Sequence, residues 1–480
     1  MNFKKILALV LALVMSMSLI ACGGTSDSEG TQATDSTGSG FSLNEDTETD
    51  EDIPEGRIGV TYWGTWGSDS KAYIQSVITS FNNSQSTYYV TMQYVGSKDD
   101  LYAKLQVTEK SKLPALINST TEALGSYKYT DYTIPIAELA GTEDAEYISR
   151  IYANCLAAWS DEQGNLLGYP MGNSMTGIYC NMDILGSLGI DPLNDIKCVT
   201  DLYEVCKKVQ ASGKVGKYAI GFEHTIRFLN YSIAIEGEQA FDQDNGRSAV
   251  PSECYYNVSP IKELATTFFE TYKKIQDEGM CFAMGSSWGN ELLPAYATGE
   301  IAMLTGTIGG FGRLERAWNE SGSGEINTVF IPWVAVTENG RSTGQPASGN
   351  GFYVVDNGKE DEAKGAWEFI KYFTSGENFA GWCTLTGYLP IAADILETDT
   401  YKAYMDSHQT LGLEYLMEVQ ANDDGNTFHP VSAVYTETSS IGLDKFNLYL
   451  QGNATVEEAL DEMTSETNDA LYMWKMANGK

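Results

Sequence analysis

Positive charge is what this chain has least of. Its 480 residues carry 30 Lys and Arg against 65 Asp and Glu, a formal net charge of −35. Phosphate backbones and anionic bilayers both call for clustered cations, so the composition argues against nucleic-acid binding and against electrostatic adhesion to a membrane surface. A solvated acidic surface accounts for the excess. CxxC pairs are absent, and no Cys/His spacing suits zinc. Asp242-Gln243-Asp244-Asn245-Gly246 lacks the oxygen order and the final Glu of a calcium loop. Gly306–Gly310 is too short for a dinucleotide fingerprint. No metal and no cofactor is expected. Repeats with periods of about 20–50 residues, the mark of a solenoid, do not occur. Nor does any apolar run reach the ~20 residues that a spanning helix requires.

What is present begins at the front. Lys4-Lys5 precede an apolar run from Ile6 to Ile20, which reads as a secretory signal over 1–21. Leu19-Ile20-Ala21-Cys22 resembles the bacterial lipobox, in which cleavage precedes the cysteine and its thiol and amine are acylated. Several acyl chains hold better than one, because each buried methylene adds ~0.8 kcal/mol. The competing reading is an ordinary signal whose boundary happens to carry a cysteine. Either way the expected location is outside the cytoplasm, here lipid-anchored on the extracellular face of the membrane, where cytosolic ATP and NAD are not available. With Cys22 lipidated, seven cysteines remain, at 155, 180, 198, 206, 254, 281 and 383. Scattered in this way they read as buried thiols, with a bridge such as Cys198–Cys206 left open. Residues 22–56 are Gly, Ser, Thr, Asp and Glu with almost nothing apolar, an acidic disordered tether.

Roughly 420 residues are left to fold, too many for one core, so two domains are expected. Ile58–Trp63 reads as a buried strand, 70–82 as a helix with Tyr73, Ile74, Val77, Ile78 and Phe81 on one face, 88–95 as a strand, 99–112 as a helix and Pro114–Asn118 as a strand. That alternation predicts a parallel sheet flanked by helices, hence an α/β fold, with ligands at the carboxyl ends of the strands. The loops at 63–68 and 118–122 are therefore the first places to look. Further on, 161–170 reads as a hairpin turn, 178–181, 301–304 and 351–355 as strands, and 198–212, 260–278, 290–298, 311–319, 360–374 and 376–384 as helices; helices dominate from 392 onward. The strand at 301–304 is expected to stop at Thr305, so that Gly306, Thr307 and Gly309 open a helix with free N–H groups.

Three stretches carry a resemblance. GYPMGNSMTGIYCNMDILGSLGIDP at 168–192, TGEIAML at 298–304, and SGNGFYVV at 348–355 followed by Thr386-Gly387-Tyr388-Leu389-Pro390-Ile391 are similar, in this order, to segments of the extracellular solute-binding proteins of sugar ABC importers. The last of them is close to its form in the glycerol-3-phosphate-binding members. The likeness spans residues 58–470. It implies a two-lobed periplasmic-binding-protein-like fold whose hinge is crossed several times, near Met171–Thr176, Pro346–Asn350 and Tyr388–Pro390. Lobe 1 would comprise 57–172 plus 349–389, and lobe 2 173–348 plus 390–480. It further implies a carbohydrate ligand, ABC permease subunits as partners, and a monomer.

A sugar offers a C–H face for aromatic plates and a ring of hydroxyls for amides, carboxylates and backbone groups. At 11% aromatic, the chain has plates to spare, though most are expected in cores. Trp63 and Trp66 flank the end of the first strand, Trp66 being the stronger candidate; the alternative is that both cap the sheet as core. By the resemblance, Glu122 with Thr121 stands where the family has an acidic ligand contact, Asn173 and Ser174 occupy a polar hinge loop, His224 a segment that often holds an aromatic plate, Asn350 the second hinge loop, and Tyr388 the cap of the cleft. Each has a structural alternative: solvated loop carboxylate, hinge geometry, structural histidine. Gly306 and Thr307 are candidates from the expected helix start. Trp288 is weaker, and Trp382 reads as core. The glycerol-phosphate binders hold phosphate with an arginine in the last third. The corresponding window, 428–450, has none, and Ser440 falls near that position. Phosphate wants a cationic fork or a dense donor nest, so this loss favours a neutral sugar, most simply an oligosaccharide. Glycerol 3-phosphate or a phosphodiester is the alternative ligand.

An enzyme is the competing class. Gly285-Ser286-Ser287-Trp288-Gly289 fits GxSxG, with His408 and His429 downstream, but no strong strand precedes it. A glycosidase would need two carboxylates about 5–10 Å apart, which 65 acidic residues cannot exclude.

Overall fold

The computed structural model describes residues 53–130, 132–322, 324–338 and 344–479. The signal, Cys22 and all but the last four residues of the tether lie outside the described residues. Chain order begins slightly earlier than expected: Ile53 packs over Gly59, where only a hydrogen leaves room for it.

Among the described residues ten strands form two sheets: β1 (Ile58–Gly64), β2 (Tyr88–Tyr94), β3 (Leu116–Thr120), β4 (Thr133–Ile134), β5 (Tyr169–Pro170), β6 (Thr176–Asn181), β7 (Tyr218–Gly221), β8 (Ile301–Thr307), β9 (Thr328–Pro332) and β10 (Asn350–Val355). The first sheet runs β2-β1-β3-β10-β4, with β5 also paired to β10; the second runs β7-β8-β6-β9. β1, β2 and β3 are parallel, as the strand–helix alternation predicts, and the helices Ser68–Ser84 and Lys98–Val107 make the crossovers. The sheet is extended by β10, which returns from the second sheet and joins β3 antiparallel.

Local chemistry explains the elements. The helix Ser68–Ser84 buries Ile74, Val77, Ile78 and Phe81, one stripe at helical spacing. Ser97 and Asp100 close a capping box at the start of Lys98–Val107, and Thr455 and Glu458 do the same for the last helix, Val456–Asn478. In β6 the strand period of two divides the core. Ile178 and Cys180 face a cluster built with the helices Val199–Ser212, Ile261–Asp277 and Tyr435–Leu450, whereas Tyr179 faces a second cluster that continues under the first sheet.

Two differences from the sequence reading matter. β7 and β9 were not anticipated: each is short, and β9 ends in proline. β8 does not stop at Thr305 but runs on through Gly306 and Thr307, which pair with Gly177 and Thr176. Thr–Gly–Thr sustains a strand when β6 lies alongside it, because β-branched threonine suits the pleat. Gly306 and Thr307 are therefore strand residues and not the opening of a helix.

All seven described cysteines are buried and unbridged; Cys198 sits 3.0 Å from the Thr200 hydroxyl and is not bonded to Cys206.

The chain passes between the sheets from β5 to β6 and from β9 to β10, and the segment around Leu389 lies beside both passages. Asn173 exchanges backbone hydrogen bonds with Leu389 (2.9 and 3.0 Å), the Ser174 N–H donates to the Ser348 carbonyl (2.8 Å), and the Met171 N–H donates to the Asn350 carbonyl (2.9 Å). Side chains bind the same crossing. The Asn173 amide oxygen accepts from the Ser348 N–H, and the Ser348 hydroxyl donates to the Ser174 carbonyl. Gly172 and Gly349 hold φ of +121° and +132° there, values that side chains resist.

One pH-dependent tie joins the helices that follow. His408 Nε2 lies 2.8 Å from Glu315 Oε1 on the helix Phe311–Ser321. That hydrogen bond raises the imidazole's pKa above its ordinary value, against partial burial. A raised folded-state pKa stabilises fully below the unfolded value of about 6.5 and ceases to do so as pH rises through the folded value. Melting temperatures of wild type and His408→Gln should therefore differ most near pH 6 and converge toward pH 9. A gap that widens with pH would refute the assignment.

Candidate functional site

The loop after β1 is held from beneath. Asn118, wholly buried on β3, accepts from the Tyr62 hydroxyl (2.8 Å) and from the Thr65 N–H (3.0 Å), and its amide donates to the Thr65 hydroxyl (2.8 Å). This fixes Trp66, whose indole meets Trp382 edge-on at 4.9 Å and Tyr388 at 6.3 Å between ring centroids. The Trp66 Nε1–H is buried without a hydrogen-bond partner.

Glu122 sits in the turn Thr121–Ala123 immediately after β3, and is buried. The Thr121 N–H donates to the Gly349 carbonyl in the hinge (3.1 Å), while the Thr121 hydroxyl donates to Glu122 Oε2 (3.3 Å). The carboxylate is thereby anchored to the crossing itself. Burial alone would raise its pKa, but His429, Arg227 and Lys98 around it outweigh that and hold it below the ordinary carboxylate value. Arg227 follows β7 of the second sheet whereas Glu122 follows β3 of the first, so groups from both sheets meet here. Arg227 is itself paired at 2.6 Å with Glu223, in the loop that follows β7. His429 stacks on Tyr231 at 5.5 Å and its Nδ1 lies 2.9 Å from the Pro430 carbonyl.

Tyr388 closes the group. Its hydroxyl accepts from the Asn350 amide (3.1 Å), and its phenol feels the Glu122 charge. Its ring lies so near Gly309 that a Cβ there would stand 2.0 Å from Cε1 and 2.5 Å from the Ser174 hydroxyl. Gly309 thus lets the turn after β8 approach both residues.

The structure brings Trp66, Thr121, Glu122, Asn173, Ser174, Asn350 and Tyr388 together around the crossing. Trp288 stands at its edge: its indole N–H donates to the Thr305 carbonyl (2.9 Å), its ring covers Gly306 and Gly310, and Arg313 lies over its other side. Gly306 and Thr307 reach the region as the last residues of β8. Trp63 and His224 are placed differently. Trp63 points to the opposite face of β1, where the Lys104 ammonium sits 4.0 Å above its ring. His224 Nε2 lies 2.6 Å from Asn447 Oδ1, and its ring stacks on Phe446; burial lowers its pKa, which favours the neutral imidazole. Arg227, Glu223, His429 and Asn118 were not singled out from the sequence as members of this group.

Unpaired buried polar atoms occur here, as they do elsewhere in the protein. Most such atoms in folded proteins have partners. Here Trp66 Nε1, Asn350 Oδ1, Arg227 Nε and His429 Nε2 have none, and all belong to residues tied to Tyr388 or Glu122 by the contacts above. Two N–H donors, an amide oxygen and an imidazole nitrogen, next to two ring faces and a carboxylate, are a set that hydroxyls can satisfy.

Ser287 has a local partner among the described residues. Its hydroxyl accepts from the Asn290 N–H and caps the turn Trp288–Leu292, while His224, His408 and His429 are engaged with Asn447, Glu315 and Pro430.

Comparison with known proteins adds three findings. The family profile described as bacterial extracellular solute-binding protein matches residues 76–408. A curated relative, the sn-glycerol-3-phosphate-binding periplasmic protein UgpB of Yersinia enterocolitica, is 22% identical over 355 residues, covering 73% of this chain and 77% of its own length. Among solved structures, the cyclic alpha-maltosyl-1,6-maltose binding protein of Arthrobacter globiformis superposes with a TM-score of 0.66 at 18% identity, covering 87% of this chain and 99% of its own. The sugar-binding protein MalE of Xanthomonas citri superposes with a TM-score of 0.70 at 12% identity, covering 88% and 100%.

Proposed function

We propose, for a chain that belongs to the bacterial extracellular solute-binding protein family, that it captures an extracellular carbohydrate between its two lobes and delivers it to the permease of an ABC importer. Lobe 1 is taken as 57–172 plus 349–389 and lobe 2 as 173–348 plus 390–480, with Cys22 as the lipid anchor and a monomer as the working unit. The sugar face stacks on Trp66 and Tyr388, its hydroxyls meet Glu122, Asn350 and Ser174, and the lobes close over it, giving the permease a surface different from the open one. Binding is the whole function in this reading, with no bond made or broken.

The observation that carries the proposal is the meeting, at the crossing, of two aromatic faces, a buried carboxylate and four unpaired polar atoms. A neutral ligand is favoured over glycerol 3-phosphate, which the UgpB relative binds by name. The site does contain an arginine, Arg227, but Glu223 and Glu122 already match its charge. A phosphate would face both carboxylates.

The test is a thermal-shift screen of neutral oligosaccharides and glycerol 3-phosphate, followed by calorimetry on each hit. Trp66→Ala should weaken sugar binding at least tenfold, equivalent to about 1.4 kcal/mol. Unchanged affinity would remove Trp66 from the site, and stabilisation by glycerol 3-phosphate alone would replace the sugar reading with the phosphate one.

A further inference from the structure

Beside the Glu122 site lies a cavity of about 1010 Å3, at the large end for small-molecule sites. It opens between the helix Lys98–Val107, the segment that follows β3, and the helices Tyr435–Leu450 and Val456–Asn478. Tyr102, Tyr127, Tyr132, Tyr435 and Trp474 line it.

Four of these rings differ from many of the protein's other large aromatics, while Tyr127 packs on Tyr353. Trp66, Tyr179, Phe311, Trp382 and many more pack against other rings. Tyr102, Tyr132, Tyr435 and Trp474 have no ring partner among the described residues, and all four line the cavity. Trp474 is half-buried four residues before the end of the last helix, far in sequence from every other candidate.

Lys98 is a second, separate sign. It is the first residue of its helix, where the macrodipole is positive and a cation is unfavourable. The Ser97–Asp100 capping box already serves that helix end. Lys98 forms no ion pair or hydrogen bond among the described residues, yet it lines the cavity and its charge reaches Glu122. Its side chain is exposed at the edge of the cavity, within reach of a group that enters. Asp99 and Glu437 stand on the same walls, so the lining has both signs and suits hydroxyls better than a net charge. Lys98 and Tyr435 also connect the two regions, since both line the cavity and both sense Glu122.

We propose that this cavity is the outer part of the binding site, in which a linear oligosaccharide longer than a disaccharide runs outward from Trp66 and Glu122, with Trp474 as the stacking plate for its far end. The inference rests on the sugar reading and extends it to chain length. It assigns to the last helix a role in specificity.

Calorimetry with the linear malto- and cello-oligosaccharide series, from disaccharide to hexasaccharide, tests it on the full chain. In wild type, affinity should rise by tenfold or more beyond the disaccharide in one series. Trp474→Ala should abolish that gain while leaving disaccharide affinity within twofold, Trp474→Tyr should restore most of it, and Tyr102→Ala should reduce it independently should Trp474→Ala prove poorly folded. A flat length profile in wild type, or a Trp474→Ala loss equal at all lengths, overturns the proposal while leaving the inner site standing. Absence of binding by every sugar overturns both.

Discussion

Glu122→Gln is expected to weaken sugar binding about a hundredfold, by equal factors for short and long ligands. The substitution keeps shape and an oxygen for the Thr121 hydroxyl, so what it removes is charge. A hydrogen bond to a charged group contributes roughly 1.5–3 kcal/mol, which sets the scale. Arg227 and Lys98 would also be left beside a neutral amide, and Arg227 would keep Glu223 alone as its counter-charge. The pH profile supplies a second reading. Because Glu122 titrates below its ordinary value of 4.5, its contribution to stability is complete above that value and fades as pH falls through the lower folded one. Acid should thus narrow the gap between wild type and Glu122→Gln. Calorimetry at pH 7, with melting curves down to pH 3, measures both. A change of less than threefold in affinity, or a gap that grows on acidification, would show that the carboxylate is not the centre of the site.

How far the sequence led is instructive at the level of single residues. Trp66, Glu122, Ser174, Asn350 and Tyr388 were legible because each follows a strand end or a hinge motif, and strand ends are where α/β ligands bind. Trp63 was ambiguous because a side chain's face depends on where the strand stops. β1 continues through Gly64, so Trp63 and Tyr62 still alternate, and Trp63 turns toward Lys104. Arg227 and Glu223 had a visible signal, an acid and a base four residues apart, but its meaning depended on β7. Four residues, Tyr218-Ala219-Ile220-Gly221, give too little periodicity to read as a strand without β8 beside them. Had β7 been recognised, its carboxyl end would have pointed directly to Glu223. His429 and Trp474 carry no local pattern at all. Only the path of the C-terminal segment brings them to residues some 300 positions earlier.

Trp382→Ala should cost the folded state about 3–5 kcal/mol, the usual range for emptying a buried tryptophan position. Trp382 has no exposed surface, and its indole N–H donates to the Met171 carbonyl at 2.7 Å, the entrance to the first crossing. Its ring contacts Trp66, Phe373 and Tyr388 at centroid distances of 4.9, 5.5 and 6.4 Å. Removing it therefore opens a cavity, leaves a buried hinge carbonyl unpaired, and releases two rings that the sugar is proposed to meet. The energetic and functional losses should then be linked. Trp382→Phe, which refills most of the volume but cannot reach the Met171 carbonyl, should recover most of the stability and less of the affinity. Urea unfolding monitored alongside calorimetry separates the two quantities. If Trp382→Ala unfolds within 1 kcal/mol of wild type, or if it is destabilised yet binds sugar with unaltered affinity, then the core beneath Trp66 does not position the plate, and the rigidity of the site must come from Asn118 and the loop it holds.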